Sequence, residues 1–211
     1  MKKTNIIILL IILASFALAF WFYPQMPDQM ASHWNTQSQV DDYMSKFWGL
    51  FLIPLISLGI FILFFIIPKI DPLKKNIEKF REYFDWFIVI IIAFLFYIFL
   101  LSIYWNLGYE FDMGIMMIPA IAILLYFISI LLKNSKRNWF IGIRTPWTLS
   151  NDIVWDKTHQ LGSKLFKIAA IIALIGLLFN RYAIWFTLIP IIFSALYLFI
   201  YSFLEHRKIE K

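Results

Sequence analysis

Three side chains around residue 155 have the types and spacing for acid–base or metal chemistry. Asp152, Asp156 and His159 recur at intervals of four and three, which puts them on one face of a helix. The ordinary alternative is a solvated polar face with a local ion pair. At about 100° per residue, Gln160 and Ser163 share that face. Val154, Trp155, Thr158, Leu161 and Leu165 fall on the other, the pattern of a helix lying flat on a membrane surface and leading into a span.

A second group, His33, Trp34 and Asn35, sets a titratable ring, a large flat surface and an amide side by side. It suits either gripping a peptide by stacking and hydrogen bonding or anchoring a loop over helix ends. Arg144, in the order Arg-Thr-Pro-Trp-Thr, suits a lipid phosphate or a partner's carboxylate. Pro146 stops any preceding helix, and Ser150 or Asn151 can cap the next one. The chain has no cysteine and only three histidines, and it contains no phosphate loop, Ser/His/Asp set or paired-histidine motif. Neither a metal nor a cofactor is expected, and an enzyme using Asp156 and His159 ranks third among the functional readings.

The elements that must position these groups are membrane helices. Of 211 residues 62% are hydrophobic and 15% charged, far from the balance of a water-soluble domain. Runs long enough to cross a bilayer lie at Ile6–Phe22, Phe47–Ile67, Trp86–Leu107, Gly114–Leu132, Leu165–Phe179 and Tyr182–Leu204. The expected fold is therefore all-α, a six-helix polytopic bundle with the lipid bilayer as its solvent. The first run continues through Trp21 and Phe22, so it reads as a retained span rather than a cleaved signal. Pro54, Pro119 and Pro190 fall inside spans, where neighbouring helices accommodate them. Trp21, Trp48, Trp86, Trp105 and Trp185 fall near span ends, as interfacial anchors do. No Asp, Glu or His sits mid-span, which argues against an ordinary proton-coupled transporter. Ser57, Ser102 and Asn106 remain as lining for a solute path or as helix-packing contacts.

The net charge of +6 is distributed by topology and does not point to nucleic acid. Lysine and arginine number sixteen in the first, third, fifth and last of the seven segments outside the spans, against two in the others, Lys46 and Arg181. Both termini and the loops around Lys74 and Arg144 are therefore expected in the cytoplasm, and residues 23–46 outside.

The stretch Asn138-Trp139-Phe140-Ile141-Gly142-Ile143-Arg144-Thr145-Pro146-Trp147-Thr148-Leu149-Ser150-Asn151, with Val154-Trp155, Thr158-His159 and Leu161-Gly162-Ser163-Lys164, resembles the signature of the SdpI-like membrane proteins. Pro27-Asp28, His33-Trp34-Asn35, Asp41 and Ser45-Lys46 resemble the N-terminal domain of unknown function that many of them carry. The sequence departs from that pattern at Ser38 and Ser163, where the family often has Gly, and at Gln160, where it often has a basic residue. The resemblance implies a bacterial plasma-membrane protein that protects against a secreted toxin peptide. It also implies a receptor role, holding a small DNA-binding repressor at the membrane without touching nucleic acid itself. A small-solute transporter or channel component is the alternative. The expected organisation is an N-terminal membrane part at 1–67 with its loop at 23–46, a linking part at 68–113, and an SdpI-like part at 114–211 with its motif loop at 133–164. The residues implied at the motif end are Asn138, Trp139, Gly142, Arg144, Thr145, Pro146, Trp147, Asn151, Trp155, Thr158, His159, Gly162 and Lys164. Those implied at the outer loop are Pro27, Asp28, His33, Trp34, Asn35, Asp41 and Lys46.

Overall fold

A computed structural model describes residues 2–209. Met1 and Lys211, which entered the reading of the termini, and the side chain of Arg181 lie outside the described residues. Six long helices dominate: α1 (Lys3–Phe22), α2 (Lys46–Ile70), α4 (Arg81–Asn106), α5 (Met113–Asn134), α7 (Asp152–Gly176) and α8 (Ala183–Ile209). All six are long and apolar enough to cross a membrane. Two short helices, α3 (Lys74–Glu78) and α6 (Pro146–Ser150), sit in the connections. Outward faces carry Leu10, Leu13, Ile62, Leu63, Ile189, Phe193 and Leu196 in the open, an arrangement that only a lipid solvent tolerates.

Inward faces are narrow stripes at helical spacing. On α1 the buried residues are Thr4, Ile8, Ile12, Ser15 and Ala19, successive turns of one face. Ile8 and Ile12 meet Phe84, Ile88 and Ile92 of α4 in a core that also takes Ile67 of α2, and Ala19 joins Phe99 and Ile103 of α4 in a second. The other three helices pack through small residues, as helices do where lipid supplies no hydrophobic drive. Ala122 of α5 meets Ala173 and Ala183, and Leu125 meets Ala169 and Ala170. Side chains at Gly162 or Gly176 would collide with Ile143 or Phe186, so those glycines set how closely α7 is approached. Contacts thus group α1, α2 and α4 together and α5, α7 and α8 together, with α4 also against α5.

The expected all-helical bundle gains one feature, an antiparallel hairpin between α1 and α2. Strands β1 (Gln29–Trp34) and β2 (Val40–Ser45) pair Gln29 with Ser45 and Trp34 with Val40. Asn35 shapes the turn, its side-chain oxygen accepting the N–H groups of Gln37 and Gln39. Ser38 takes φ +58°, the left-handed conformation that Gly adopts without a steric penalty. Met30 is fully buried against Gly49 of α2, where any side chain would meet its sulfur.

The fifth span is longer than expected. The predicted surface helix and the span are one continuous helix, α7, so residues 152–164 do not lie flat on the membrane. Their buried stripe of Val154, Trp155, Thr158, His159 and Gly162 runs on into Ala169, Ala170 and Ala173, and nothing breaks the helix between them.

Candidate functional site

The two ends of the bundle carry the candidate residues. At the hairpin end, β1 docks on the helices through Asn106, the last residue of α4. Its side chain accepts the Ala31 N–H at 2.8 Å and donates to the Ala31 carbonyl at 3.1 Å, pairing the strand as a neighbouring strand would. The tip is latched to α5, where Ser38 Oγ donates to Asp112 Oδ1 at 2.5 Å and accepts the Gly114 N–H at 3.1 Å. Asp112 also caps α5 by accepting the Ile115 N–H. Trp34 leaves the hairpin to pack edge-on against Trp105, ring centres 5.6 Å apart, so it covers the span ends. His33 Nδ1 sits 2.5 Å from Asp41 Oδ1 across the strands, both exposed. Lys46 pairs with Asp28 at 3.1 Å and lies over the Tyr23 ring, while Pro27 is exposed beside them.

Beneath the hairpin is a cavity of about 420 Å³, walled mainly by Ile98 and Ser102 of α4, Met117 of α5 and Leu188 of α8, with Trp34 and Asn35 above. Trp34 Nε1 is buried without a hydrogen-bond partner among the described residues.

At the other end, residues 135–151 fold into a hydrogen-bonded plug over α7. Asn138 is fully buried and uses all its capacity. It donates to the carbonyls of Lys136 and Ile141 and accepts from the N–H groups of Phe140 and Ile141. Gly142 has φ +115°, and a side chain there would overlap His159 Nε2, so only glycine lets the chain pass over the ring. His159 Nε2 accepts the Ile143 N–H at 2.9 Å, and its Nδ1 lies 2.8 Å from the Trp155 carbonyl. A nitrogen that accepts one bond while the other donates defines the neutral tautomer. The imidazole stacks on Trp155, whose indole N–H reaches the Ser135 carbonyl.

Thr145 and Thr148 form a reciprocal capping box around Pro146, and Thr145 Oγ1 donates to Ser202 of α8. Asn151 caps α7 through the N–H groups of Ile153 and Val154. Trp147 packs against Phe199 and Phe203 of α8. Thr158 is fully buried, and its hydroxyl has no partner among the described residues.

The plug is also tied to the first three helices. Asp71, after α2, is only 2% exposed and accepts the N–H groups of Leu73 and Trp139. Asn76 of α3 donates to the Arg137 carbonyl. Ion pairs close the periphery: Arg137 with Asp152 at 2.7 Å, Lys136 with Asp156 at 3.2 Å, and Lys157 and Lys208 with the buried Glu205. The motif side chains that remain outward include Trp139, Phe140, Arg144, Pro146, Ser150 and Lys164. Arg144 holds the Trp139 carbonyl with one nitrogen at 2.8 Å.

This geometry corrects the proposed polar face of Asp152, Asp156 and His159. His159 sits at the edge of the buried stripe because the loop at 141–143 lies over it, and both ring nitrogens are taken by the backbone. Asp152 and Asp156 turn outward to Arg137 and Lys136. The three do not converge on a common point, and among the described residues no group of three His, Asp or Glu side chains is placed to hold a metal. In the sequence Asn106 reads only as path lining or a helix-packing contact, and Asp112, Asp71 and Asn76 have no role at either end, since a lone polar residue at a helix end looks like an ordinary cap.

The SdpI/YfhL protein family matches residues 134–202, which span the plug, α7 and much of α8. A domain of unknown function, DUF1648, matches residues 10–58, most of α1, the hairpin and half of α2. The immunity protein SdpI of Bacillus subtilis (strain 168) is 24% identical over 210 residues, covering 99% of this chain and 98% of that protein. No solved structure is matched. With one match on the hairpin end, one on the motif end and a relative aligned from end to end, the chain is an SdpI-like multi-pass membrane protein.

Proposed function

We propose that this protein is a non-enzymatic immunity protein of a bacterial plasma membrane, giving resistance to a secreted antimicrobial peptide. The observation that carries the reading is the end-to-end likeness to the immunity protein SdpI. The lysine and arginine bias supports an orientation with the hairpin end outside and both termini and the plug in the cytoplasm. The toxin then meets the hairpin and the outer span surfaces first. The hydrogen-bonded fold of residues 135–151, inside the 114–211 part, supports a second role as docking surface for a small repressor protein, with Trp139, Phe140 and Arg144 exposed on it. Signalling of that kind needs two arrangements of the bundle that differ in toxin affinity.

Expression in a toxin-sensitive bacterium tests this directly. Survival and membrane potential are followed during challenge with a panel of secreted peptides. Protection against at least one is expected, and survival equal to the empty vector across the panel overturns the proposal. The grouping of helices three and three favours one second reading, a small-solute transporter. Solute uptake that disappears on Ser102→Leu would establish it instead.

A further inference from the structure

We propose that the seam between α4 and α5 at the motif end of the bundle is a binding site for one anionic phospholipid, with its phosphate among the cations at the start of α4 and an acyl chain in the groove below. The site goes beyond the immunity reading and does not depend on it.

The head of the site is a polar pocket of about 610 Å³ where the N-terminal ends of α1 and α4 meet. Lys2, Lys3, Lys79 and Arg81 line it against Glu78, Glu82 and Asp85. Asp85 is buried and holds both Lys2, at 2.6 Å, and Arg81, at 2.7 Å, so one carboxylate is shared by two cations. Lys3 and Lys79 stand exposed outside that group. Four cations against three acids leave an excess of one positive charge. The two helix ends add to it, because no side chain among the described residues caps α1 or α4. That excess suits a phosphate diester whose headgroup is otherwise uncharged. A zwitterionic headgroup is disfavoured, since its ammonium enters the same positive field.

The tail of the site follows from helical spacing. Tyr83 and Trp86, both exposed, line the polar pocket and mark the headgroup level, as interfacial aromatics do. They also line a second cavity of about 260 Å³, whose other wall is Phe127 and Ile130 of α5. One turn further along both helices lies a third cavity of about 330 Å³, between Ile90 and Ala93 of α4 and Ala120 and Ile123 of α5. Tyr97 ends it by donating to the Met116 carbonyl at 2.9 Å. Trp86, Ile90, Ala93 and Tyr97 recur at four, three and four, and Ala120, Ile123, Phe127 and Ile130 at three, four and three. Each set is one helix face, so the cavities form a single groove. From Trp86 to Tyr97 the groove runs about 16 Å at the rise of an α-helix. That is the depth of one leaflet, half of a hydrocarbon core of about 30 Å. A cationic head above an apolar groove one leaflet deep has the form of a phospholipid. Because α4 against α5 is the helix contact that joins the two groups of three, a lipid in this seam braces both.

The test uses the full chain in a mild non-ionic detergent. Probes are phosphatidylglycerol and phosphatidylcholine with identical acyl chains, read by native mass spectrometry and by the midpoint of thermal unfolding. One phosphatidylglycerol retained per chain is expected, about tenfold more tightly than phosphatidylcholine, with a midpoint raised by about 5 °C at a hundredfold excess over its Kd. Lys3→Gln with Lys79→Gln removes two cations outside the Asp85 group and should bring phosphatidylglycerol down to the level of phosphatidylcholine. Ala93→Leu with Ala120→Leu narrows the groove and should weaken retention of both lipids. A phosphatidylglycerol carrying a diazirine near the end of its acyl chain tests the unsubstituted protein, whatever the variants' folding. Its cross-links should map to residues 90–97 and 116–123. Equal retention and equal midpoints for the two lipids overturn the proposal, as does a preference unchanged in the lysine variant. So do cross-links spread over all six spans, or inorganic phosphate that raises the midpoint as much as the lipid does.

Discussion

Gly142→Ala is the substitution with the most closely defined consequence. A φ of +115° lies outside the left-handed region that L residues visit, so alanine there is strained by about 1–3 kcal/mol. Its Cβ would also overlap His159 Nε2. The ring has no room to retreat, because it stacks on Trp155 at 3.9 Å and its other nitrogen is held by the Trp155 carbonyl. Displacing it breaks the bond to the Ile143 N–H, and an unpaired buried donor adds about 1–3 kcal/mol more. The sum of about 2–6 kcal/mol lowers the midpoint of thermal unfolding by at least about 5 °C for a chain of this length. Gly59→Ala is the control: Gly59 lies inside α2 with open space around its missing side chain, and alanine there should be neutral or stabilising by up to about 1 kcal/mol. The assay is the surviving monodisperse fraction after heating in one detergent. Combining Gly142→Ala with His159→Ala removes the colliding ring, so the double variant should be distinctly more stable than additivity implies. A Gly142→Ala midpoint equal to that of Gly59→Ala, or strict additivity in the double variant, refutes the account of the loop resting on the ring.

Three further outcomes follow from contacts between elements. Asp71→Ala strands the N–H groups of Leu73 and Trp139, costing about 2–4 kcal/mol, and should open the plug to trypsin at Arg137 and Arg144. Protease resistance equal to the unsubstituted protein would count against the tie between the halves. Asn106→Leu removes both bonds to Ala31, about 2 kcal/mol together, and should raise amide exchange in residues 29–45 roughly 30-fold while α5 is unaffected. Because the chain lacks cysteine, Ser38→Cys and Arg144→Cys report topology cleanly. A membrane-impermeant maleimide should label the first in intact cells and the second only after permeabilisation, and the reverse pattern would invert the proposed orientation.

The six spans were readable because crossing a bilayer demands long apolar runs, which leave little ambiguity in composition. The hairpin was not readable. Its strands are short, carry Asp41, Asp42 and His33, and gain their stability from outside themselves: Met30 packs on Gly49, Ala31 pairs with Asn106, and Ser38 bonds Asp112. Those partners lie up to 75 residues away, beyond any local pattern. Helical spacing alone also misplaced His159. A wheel centred on Asp152 puts it with the acids, but the buried face of α7 extends further round because a loop as well as two helices packs against it. Asp71 was silent for a different reason. A single carboxylate before a proline looks like a turn residue, and only the fold reveals that it reaches Trp139.

The SdpI-like motif divides by burial into residues with different physical duties. Asn138, Thr145, Trp155, Thr158, His159 and Gly162 are buried, and all of them except Thr158 join Gly142 and Asn151 in spending polar groups or the lack of a side chain on shaping the plug. A motif dense in such residues is specified by the loop's own folding, because a compact turn without regular ladders must satisfy each backbone group individually. It follows that density of motif does not measure density of partner contacts. On the proposed docking role, recognition would fall to the residues that the plug leaves outward, among them Trp139, Phe140, Arg144 and Lys164. An aromatic pair beside a guanidinium is a combination that binding surfaces favour. That proposal separates the two sets by their failures: substitution within the buried set is expected to lower stability first, while the outward set is expected to alter docking at unchanged stability. The single bond from Arg144 to the Trp139 carbonyl leaves the rest of its donor fork free, so it belongs with the second set.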